Sequence, residues 1–545
     1  MRDPKTFDQI LAAKFSFQGH RRQLPPSSTP IDSANASRAS GIHTRKHRIP
    51  DERAMRRGRT QRQRQEKKQL RQGLRQEPRA ATARGRPCTD QAWTGLREWC
   101  KSRGMPKTKL TLAYFPDTFR GMMATRDIGA GEDLIQVPER LLVTASRVRR
   151  HTMARAAAAV APTGHGPRWS LTEHQALAYW LLEEAERQAA SEWSSYIESL
   201  PRDFCSVPLF ALAGNVPSDT ISSESESAQW IAAHLPHSMR QKVARQQTRL
   251  LADWQKTRAF LAEAGLPQPP PEAWRRYVWA WLAVNTRCIH LGLHADALAG
   301  GACQDTIALA PVLDFLNHSE HADVETRFDP RARQFVIRTN RGFRRGEEVF
   351  ISYGPHDNRF MLAEYGFVLE RNPFQTLELD HAVALWIAAA KARLQTPRPA
   401  RATTMSVGDI DTLVAVLERQ GLWGDYTISL DDLEPSYRLQ AALRLLLFAE
   451  QEGVTAKQAV ARWERWRCGG PGTYAGDAAD TAQPPAVRRW VEAVCATLAE
   501  QARRALAEID TVSAGGGADI DAFLIHCLRT VWREISAIAI CSSQN

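Results

Sequence analysis

The sequence predicts an α+β protein, in which two β-rich segments flank a large helical insertion and precede a helical C-terminal region. Short β-type runs broken by Gly and Pro occupy residues 110–138 and again residues 306–374. Between these segments, residues 146–293 carry apolar side chains at the 3–4 spacing of helices. We therefore expect a β-rich domain over residues 88–374 and an all-helical domain over residues 375–545.

Length and composition are those of a globular protein with more than one domain. The chain has 545 residues and 43% hydrophobic residues. No uninterrupted apolar run approaches the ~18 residues of a membrane span, so we expect no membrane segment. The first residues also lack the apolar stretch of a secretory signal, which argues against secretion.

The nine cysteines are dispersed and contain no Cys-x-x-Cys pair. A scattered odd number in a large chain favours free thiols in a reducing compartment, the cytoplasm or the nucleus. It also argues against a structural zinc cluster of four cysteines. We expect no metal site.

The basic charge of the chain is concentrated in its first 87 residues. Residues 1–87 hold 22 Lys and Arg against 7 Asp and Glu, whereas the remaining 458 residues hold 50 against 53. This arm lacks amphipathic periodicity, so we expect it to be disordered until it binds a partner. The alternatives are a contact with nucleic acid, a contact with a nuclear-import receptor, or a solvated tail. A start of translation at Met55 is a further hypothesis.

The local patterns predict the elements in order. Residues 89–103 form a short helix, with Trp93 and Leu96 on one face, and a meander of strands follows, with Arg120-Gly121 in a turn. The insertion contains helices over residues 171–190, 239–263 and 272–290. In the C-terminal region, the helix over residues 435–450 presents four leucines to the core, namely Leu439, Leu443, Leu446 and Leu447.

Two short segments of the second β-rich part carry polar residues at the ends of apolar runs. They are Asp314-Phe-Leu-Asn317-His318-Ser319 and Gly346-Glu-Glu-Val-Phe-Ile-Ser-Tyr353-Gly354. Alone, each is compatible with an ordinary turn or helix cap. Their order is more specific, because they follow an Arg-Gly-Met segment and Asn285-Thr-Arg287, and precede a Glu-Tyr-Gly-Phe segment.

This ordered series resembles the Rubisco large-subunit methyltransferase-like branch of SET-domain proteins, over about residues 90–375. The matching stretches are AYFPDTFRGMMATRDI, WAWLAVNTR, LAPVLDFLNHS and EEVFISYGPHDNRFMLAEYGFV. The resemblance implies a SET domain with a pseudoknot and a large helical insertion, followed by a helical substrate-binding domain. It implies an S-adenosyl-L-methionine-dependent protein-lysine N-methyltransferase. The chain departs from the family pattern at Phe119, where relatives have Gly.

The resemblance also implies roles for individual residues. Arg120, Gly121 and Met122 would pass main-chain groups along the cofactor, and Arg287 would face its carboxylate. Asn317 and His318 would hold its amino group and adenine, and Phe367 would pack on the adenine. Tyr353 is the candidate catalytic residue and borders the cofactor, and Tyr365 would line the lysine channel.

The acceptor remains open at this level. A protein lysine is the leading expectation, with histones as one candidate and non-histone proteins as another. Transfer to histidine and a catalytically silent interaction module are the alternatives. His290 and His294 have the spacing of zinc ligands on a helix, but we favour an ordinary histidine pair because the carboxylate of the zinc motif is missing.

Overall fold

The structure is a computed structural model that describes residues 84–159, 168–214, 225–291, 306–395, 405–431, 433–468, 485–515 and 520–543. Nearly all of the basic arm, Met55 and His294 lie outside these residues. Within them, no helix is long and apolar enough to cross a membrane.

The described residues of the β-rich part form eleven short strands in three sheets. A five-stranded sheet has the order β1-β2-β3-β11-β8, and two three-stranded sheets have the orders β4-β10-β9 and β5-β7-β6. The strands are β1 Arg86–Pro87, β2 Leu110–Phe115, β3 Phe119–Ala124, β4 Asp133–Pro138, β5 Val143–Thr144, β6 Ile289–His290, β7 Ile307–Leu309, β8 Asn317–His318, β9 Val324–Asp329, β10 Gln334–Thr339 and β11 Glu348–Ile351.

Strands β8 and β11 bring the two polar segments of the sequence together. They pair in parallel, with Phe350 opposite Asn317 and Ile351 opposite His318. On its other side β11 pairs antiparallel with β3, where Val349 lies opposite Met122. The end of the Asp314–Ser319 segment and the start of the Tyr353 segment therefore share one sheet edge.

The described helices of the first part lie between β1 and β11 in the chain, except the last, which follows β11. Helix α3 begins at a capping box, in which the Thr172 side chain and Gln175 exchange hydrogen bonds with each other's backbone. The helices are α1 Gln91–Ser102, α2 Ala145–Ala159, α3 Glu173–Arg187, α4 Ser194–Ser199, α5 Pro208–Leu212, α6 Glu226–His234, α7 His237–Glu263, α8 Trp274–Arg287 and α9 Asn358–Tyr365.

The tryptophan-rich segment of α8 forms core in the insertion. Trp274, Tyr277 and Trp281 are buried, and Trp254 of α7 packs on Tyr277 with ring centres 4.9 Å apart. The Trp281 indole donates a hydrogen bond to the buried Asp253 carboxylate at 2.8 Å. The aromatic rings are therefore occupied by packing and do not form an exposed stacking surface.

The C-terminal region is helical, with one two-stranded antiparallel ribbon. Its elements are β12 Thr376–Glu378, α10 Asp380–Gln395, α11 Val407–Arg419, β13 Thr427–Ser429, α12 Tyr437–Glu452, α13 Ala456–Cys468, α14 Pro485–Gly515 and α15 Ala522–Ser543. The ribbon was not predicted because its strands have three residues each, too few to establish a period. The four leucines of α12 that were predicted to face the core of the domain are all buried.

Two local expectations differ from the structure. Arg120 and Gly121 lie in strand β3, opposite Tyr114 and Ala113 of β2, because the turn falls earlier, at Pro116–Thr118. Proline and aspartate favour turns, and this segment supplies both.

The helix predicted to end at residue 290 ends at Arg287 instead. The chain becomes extended at Cys288, because Ile289 and His290 pair with β7. A short strand of this kind depends on a partner that is distant in sequence, so the local pattern does not reveal it.

Candidate active site

One cavity of about 360 Å³ opens between the five-stranded sheet, the insertion and the C-terminal region. Its walls are aromatic and charged. They include Phe119, Arg120, Phe204, Arg287, Asp314, Phe315, Asn317, Tyr353, Tyr365, Phe367 and Phe523. A cavity of this size that combines aromatic walls with polar and charged groups is typical of a small-molecule or cofactor site.

A buried ion pair lies in one wall of the cavity. Arg287, at the end of α8, contacts Asp314, with Nη1 to Oδ2 at 3.5 Å, and donates to the Asp314 carbonyl oxygen at 3.0 Å. The Asp314 side chain is fully buried, and burial raises the pKa of its carboxyl group although Arg287 opposes that shift. Arg287 Nε and Asp314 Oδ1 have no hydrogen-bond partner among the described residues.

A second guanidinium group reaches the same wall. Arg120 and Arg287 both lie over the Phe315 ring, at 5.3 Å and 5.1 Å from its centre. Arg120 donates to the Ser199 carbonyl oxygen at 3.2 Å, and its Nε is buried without a partner among the described residues. The guanidinium groups of Arg120 and Arg287, both partly buried, give this wall two cations that can bind a ligand with an anionic group.

Asn317 is held in place by its neighbours in the sheet. Its amide nitrogen donates to the Arg120 carbonyl oxygen at 3.0 Å and to Glu348 Oε1 at 2.8 Å. Its amide oxygen is then the atom that can accept a hydrogen bond from an ammonium group. Burial raises the pKa of Glu348 to about 7, against the hydrogen bonds from Thr118 and Asn317.

Gly121 permits this close arrangement of side chains. A Cβ atom at this position would lie 2.9 Å from Asn317 Nδ2 and would overlap the Glu348 carboxylate. The glycine is therefore required by the packing of two side chains that support the cavity, since its neighbours approach the bare Cα.

His318 lies behind the cavity wall as a neutral ring. The Tyr353 backbone N–H donates to His318 Nδ1 at 3.0 Å, so Nε2 carries the proton. Burial lowers the pKa of His318 to about 4. Its Nε2 is buried without a hydrogen-bond partner among the described residues, so this N–H is a donor that a ligand could use.

Three aromatic rings meet at the other end of the cavity. Tyr353 follows β11, and its ring centre lies 5.0 Å from that of Tyr365 and 6.3 Å from that of Phe367. Helix α9 places the last two residues. The Asp357 side chain precedes the helix and caps it by accepting a hydrogen bond from the Phe360 N–H. Gly366 follows the last helical residue in the left-handed conformation, with φ 78°.

The Tyr353 hydroxyl group is a neutral, oriented hydrogen-bonding group. It donates a hydrogen bond to the Leu316 carbonyl oxygen at 2.8 Å, which directs its proton to the backbone and gives the hydroxyl oxygen the role of an acceptor. Burial raises the pKa of Tyr353 well above its ordinary value, so the phenol keeps its proton at neutral pH. This geometry suits a group that orients an amine and does not suit a strong base.

The structure gathers most of the predicted site residues around one cavity. Arg120, Arg287, Asn317, Tyr353, Tyr365 and Phe367 line it directly. The other three residues support these from behind. His318 holds the Tyr353 backbone, Gly121 permits the contact between Asn317 and Glu348, and Met122 is fully buried in the sheet.

The sequence pattern assigned no role to Asp314, Glu348 or Phe523, and it marked Phe119 only as a departure from the family pattern. Asp314 and Glu348 stand inside the two polar segments, so a carboxylate in an otherwise apolar run was an available signal. Phe523 had none, because it begins a helix more than 150 residues beyond Phe367 in the chain.

The chemistry of these groups fits an elongated ligand with one zwitterionic end. The Arg287–Asp314 pair provides one positive and one negative group. Arg287 Nε and Asp314 Oδ1 each lack a hydrogen-bond partner among the described residues, and the Asn317 amide oxygen is a further acceptor. An amino-acid group has the complementary charges, and the aromatic walls suit a flat ring. Among the described residues, no group of three His, Cys, Asp or Glu side chains could hold a metal ion.

The sequence of this chain is similar to a known domain and to known proteins. The SET domain family model matches residues 120–354. SET domain-containing protein 4 of Mus musculus is 31% identical over 362 residues, covering 64% of this chain and 71% of that protein. Ribosomal lysine N-methyltransferase set11 of Schizosaccharomyces pombe is 24% identical, covering 65% of this chain and 74% of that protein.

Two further comparisons concern a different acceptor and a solved fold. Actin-histidine N-methyltransferase of Xenopus tropicalis is 26% identical, covering 53% of this chain and 45% of that protein. The crystal structure of the SET domain of LSMT bound to lysine and AdoHcy superposes with a TM-score of 0.50 at 16% identity. It covers 83% of this chain and 92% of that chain, which supports the fold described above.

Proposed function

Because this chain belongs to the SET-domain family of methyltransferases, we propose that it is an S-adenosyl-L-methionine-dependent protein-lysine N-methyltransferase. The observation that carries the proposal is the cavity that joins a buried Arg287–Asp314 pair to the Tyr353–Tyr365–Phe367 cluster. The charged end suits the amino-acid part of the cofactor, and the aromatic end suits the site of transfer. The similarity to a ribosomal lysine N-methyltransferase supports a protein lysine as the acceptor.

The bound cofactor supplies a methyl group on a positively charged sulfur, which a neutral amine can attack in line. The residues of this chain must then bind the cofactor, orient the amine towards the methyl group and exclude water from the site. Arg287, with its free Nε, would hold the cofactor carboxylate. Asp314 Oδ1 and the Asn317 amide oxygen would accept hydrogen bonds from its ammonium group.

The aromatic cluster addresses the charge of the acceptor lysine. A lysine with pKa near 10.4 is protonated at pH 7, and presenting the neutral amine costs about 4–5 kcal/mol in water. A channel walled by Tyr353, Tyr365 and Phe367 disfavours the ammonium form, because it removes water from the charge. The Tyr353 hydroxyl oxygen, whose proton is engaged by Leu316, would accept one N–H of the amine and align its lone pair.

Replacement of Tyr353 by Phe tests this role. We expect Tyr353→Phe to reduce methyl transfer by a factor of about 100 or more, since it removes the group that orients the nucleophile. S-adenosylhomocysteine should bind to the variant within about twofold of wild type, because the Arg287–Asp314 end is unchanged. Tritiated-methyl transfer and isothermal titration measure the two quantities. Near-normal turnover by the variant would remove Tyr353 from the mechanism.

The acceptor is tested by labelling. A lysate, a histone fraction and a ribosomal fraction are each incubated with the enzyme and tritiated cofactor, and the labelled protein is hydrolysed. Methyl-lysine supports the proposal. Methyl-histidine would instead indicate the activity that the actin-histidine N-methyltransferase similarity suggests. Binding of S-adenosylhomocysteine without label in any fraction would favour a silent interaction module.

We propose separately that the basic arm, residues 1–87, directs a nuclear pool of the protein by contacting an import receptor or nucleic acid. The support is its excess of 15 positive charges in a chain that is otherwise near neutral. A fluorescent protein fused to residues 1–87 should accumulate in the nucleus, and replacement of the Arg and Lys residues in 53–75 by Gln should abolish the accumulation. A uniform distribution of the first fusion would exclude import by this arm.

A further inference from the structure

The cavity has an aromatic rim that includes a residue from the far C-terminal end of the chain. Phe119 in β3 and Phe523 in α15 both line the cavity, and their rings meet edge to face with centres 5.5 Å apart. Asp521, immediately before α15, lines the same opening. The C-terminal helix therefore takes part in forming the cavity that the SET part of the chain contains.

Phe119 is an unusual residue at its position. Its backbone has φ 58°, and its side chain is 58% exposed. A left-handed conformation is unfavourable for a non-glycine residue, and an exposed phenylalanine gains little stability from burial. Backbone strain of this kind is concentrated at functional sites, where the side chain serves a ligand.

The helix that carries Phe523 is fixed by hydrogen bonds to the rest of the protein. Trp532 of α15 donates to the His234 carbonyl oxygen at 2.8 Å. Asn358 at the start of α9 donates to Glu534 of α15 at 2.8 Å. Since α9 leads directly to Tyr365, the position of α15 is tied to the aromatic cluster of the site.

The charged wall and the rim of the cavity contribute different groups. The Arg120–Phe315–Arg287 stack and Asp314 supply the charges, whereas Phe119 and Phe523 bring only apolar ring surface to the rim. A flat aromatic ring is the ligand group that such a rim binds best, through stacking and edge contacts. In the proposed cofactor, the group that matches is the purine.

We propose that Phe119 and Phe523 form an aromatic rim that positions the purine of the cofactor, so that the C-terminal helix α15 completes the cofactor site. This inference rests on the proposed function, because it takes the purine from the cofactor named there. Phe523 acts as a positioning residue. It contributes to the affinity for the methyl donor, whereas Tyr353 acts in the transfer step.

The test measures S-adenosylhomocysteine binding by isothermal titration and donor KM and kcat by methyl transfer. For Phe119→Gly and for Phe523→Ala we expect Kd and donor KM to rise about tenfold, as loss of one stacking contact predicts. The value of kcat at saturating donor should stay within about twofold. In the double variant, Kd should rise by less than the product of the two single fold increases, because both rings contact the same group.

Two comparisons separate a binding role from a structural one. Phe119→Gly relieves the left-handed backbone conformation, so the melting temperature should not fall although affinity does. Ile540→Ala is the matched control on α15, since this side chain is 44% exposed and does not line the cavity. It should leave Kd unchanged.

The outcomes decide the proposal. Wild-type binding with a loss confined to the two rim variants supports it. Wild-type binding with equal affinity in Phe119→Gly and Phe523→Ala, or with the same loss in Ile540→Ala, overturns the rim and leaves the proposed function standing. Absence of binding by the wild-type chain overturns the proposed function and the rim with it.

Discussion

The buried carboxyl group of Glu348 should make the stability of this protein fall as pH rises from 4.5 to about 7. Its side chain lies under Gly121 and Asn317, and burial raises its pKa from 4.5 to about 7. Below pH 4.5 the group is protonated in the folded and the unfolded chain alike. Between pH 4.5 and 7 only the folded chain keeps the proton, so the free energy of unfolding decreases as pH rises.

The size of this effect follows from the shift in pKa. A difference of about 2.5 units corresponds to roughly 3 kcal/mol, lost progressively and complete above pH 7. Glu348→Gln keeps the shape of the side chain and cannot ionise. Relative to wild type, the variant should therefore gain most of this ~3 kcal/mol between pH 5 and pH 8.5.

Urea unfolding followed by tryptophan fluorescence, at half-unit steps of pH, measures the difference between the two proteins. Glu347→Gln is the matched control. It makes the same substitution one residue away, at a partly buried side chain that accepts a hydrogen bond from the Arg344 backbone. The control should show no comparable gain. A difference between wild type and Glu348→Gln that is the same at pH 5.5 and pH 8.5 would refute the reasoning.

Two further predictions concern packing. Gly121→Ala should lower the free energy of unfolding by about 1–3 kcal/mol and weaken S-adenosylhomocysteine binding, because the new methyl group overlaps the Glu348 carboxylate. Gly95 lies in helix α1, and a Cβ atom there would be 4.0 Å from its nearest neighbouring atom. Gly95→Ala should therefore be neutral or stabilising in the same urea and titration measurements. Leu443→Ala, in the buried face of α12, should cost about 2–5 kcal/mol by urea unfolding, whereas Leu385→Ala, at a side chain that is 57% exposed, should change it by less than about 0.5 kcal/mol. Equal effects at the two leucines, or at the two glycines, would contradict the packing described here.

The large helices could be predicted because their signals are local. The capping residue Thr172 and the leucine face of α12 act within a few turns of backbone, so the pattern of residues contains them. The boundaries were less predictable. Strand β6 interrupts the expected helix at Cys288 because it pairs with β7, and the sequence alone does not contain that partner.

For the candidate site, the sequence by itself determined the kinds of groups. The order of the Asn317-His318 and Tyr353 segments, with Arg287 between the two β-rich parts, is a property of the chain that needs no coordinates. Residue types set which charges, rings and hydrogen-bonding groups are available. They therefore indicated the family and the chemistry of transfer.

Only the tertiary structure decided how these groups are used. Pairing of β8 with β11 places His318 against the Tyr353 backbone, and burial then holds its ring neutral. Folding also sets the side chain of Arg120 beside Phe315, and brings Phe523 to the mouth of the cavity. These features depend on contacts between distant segments and on removal of water from charged groups. The local sequence determines neither the contacts between distant segments nor the burial of charged groups. For this reason the contribution of α15 to the site is visible only in the tertiary structure.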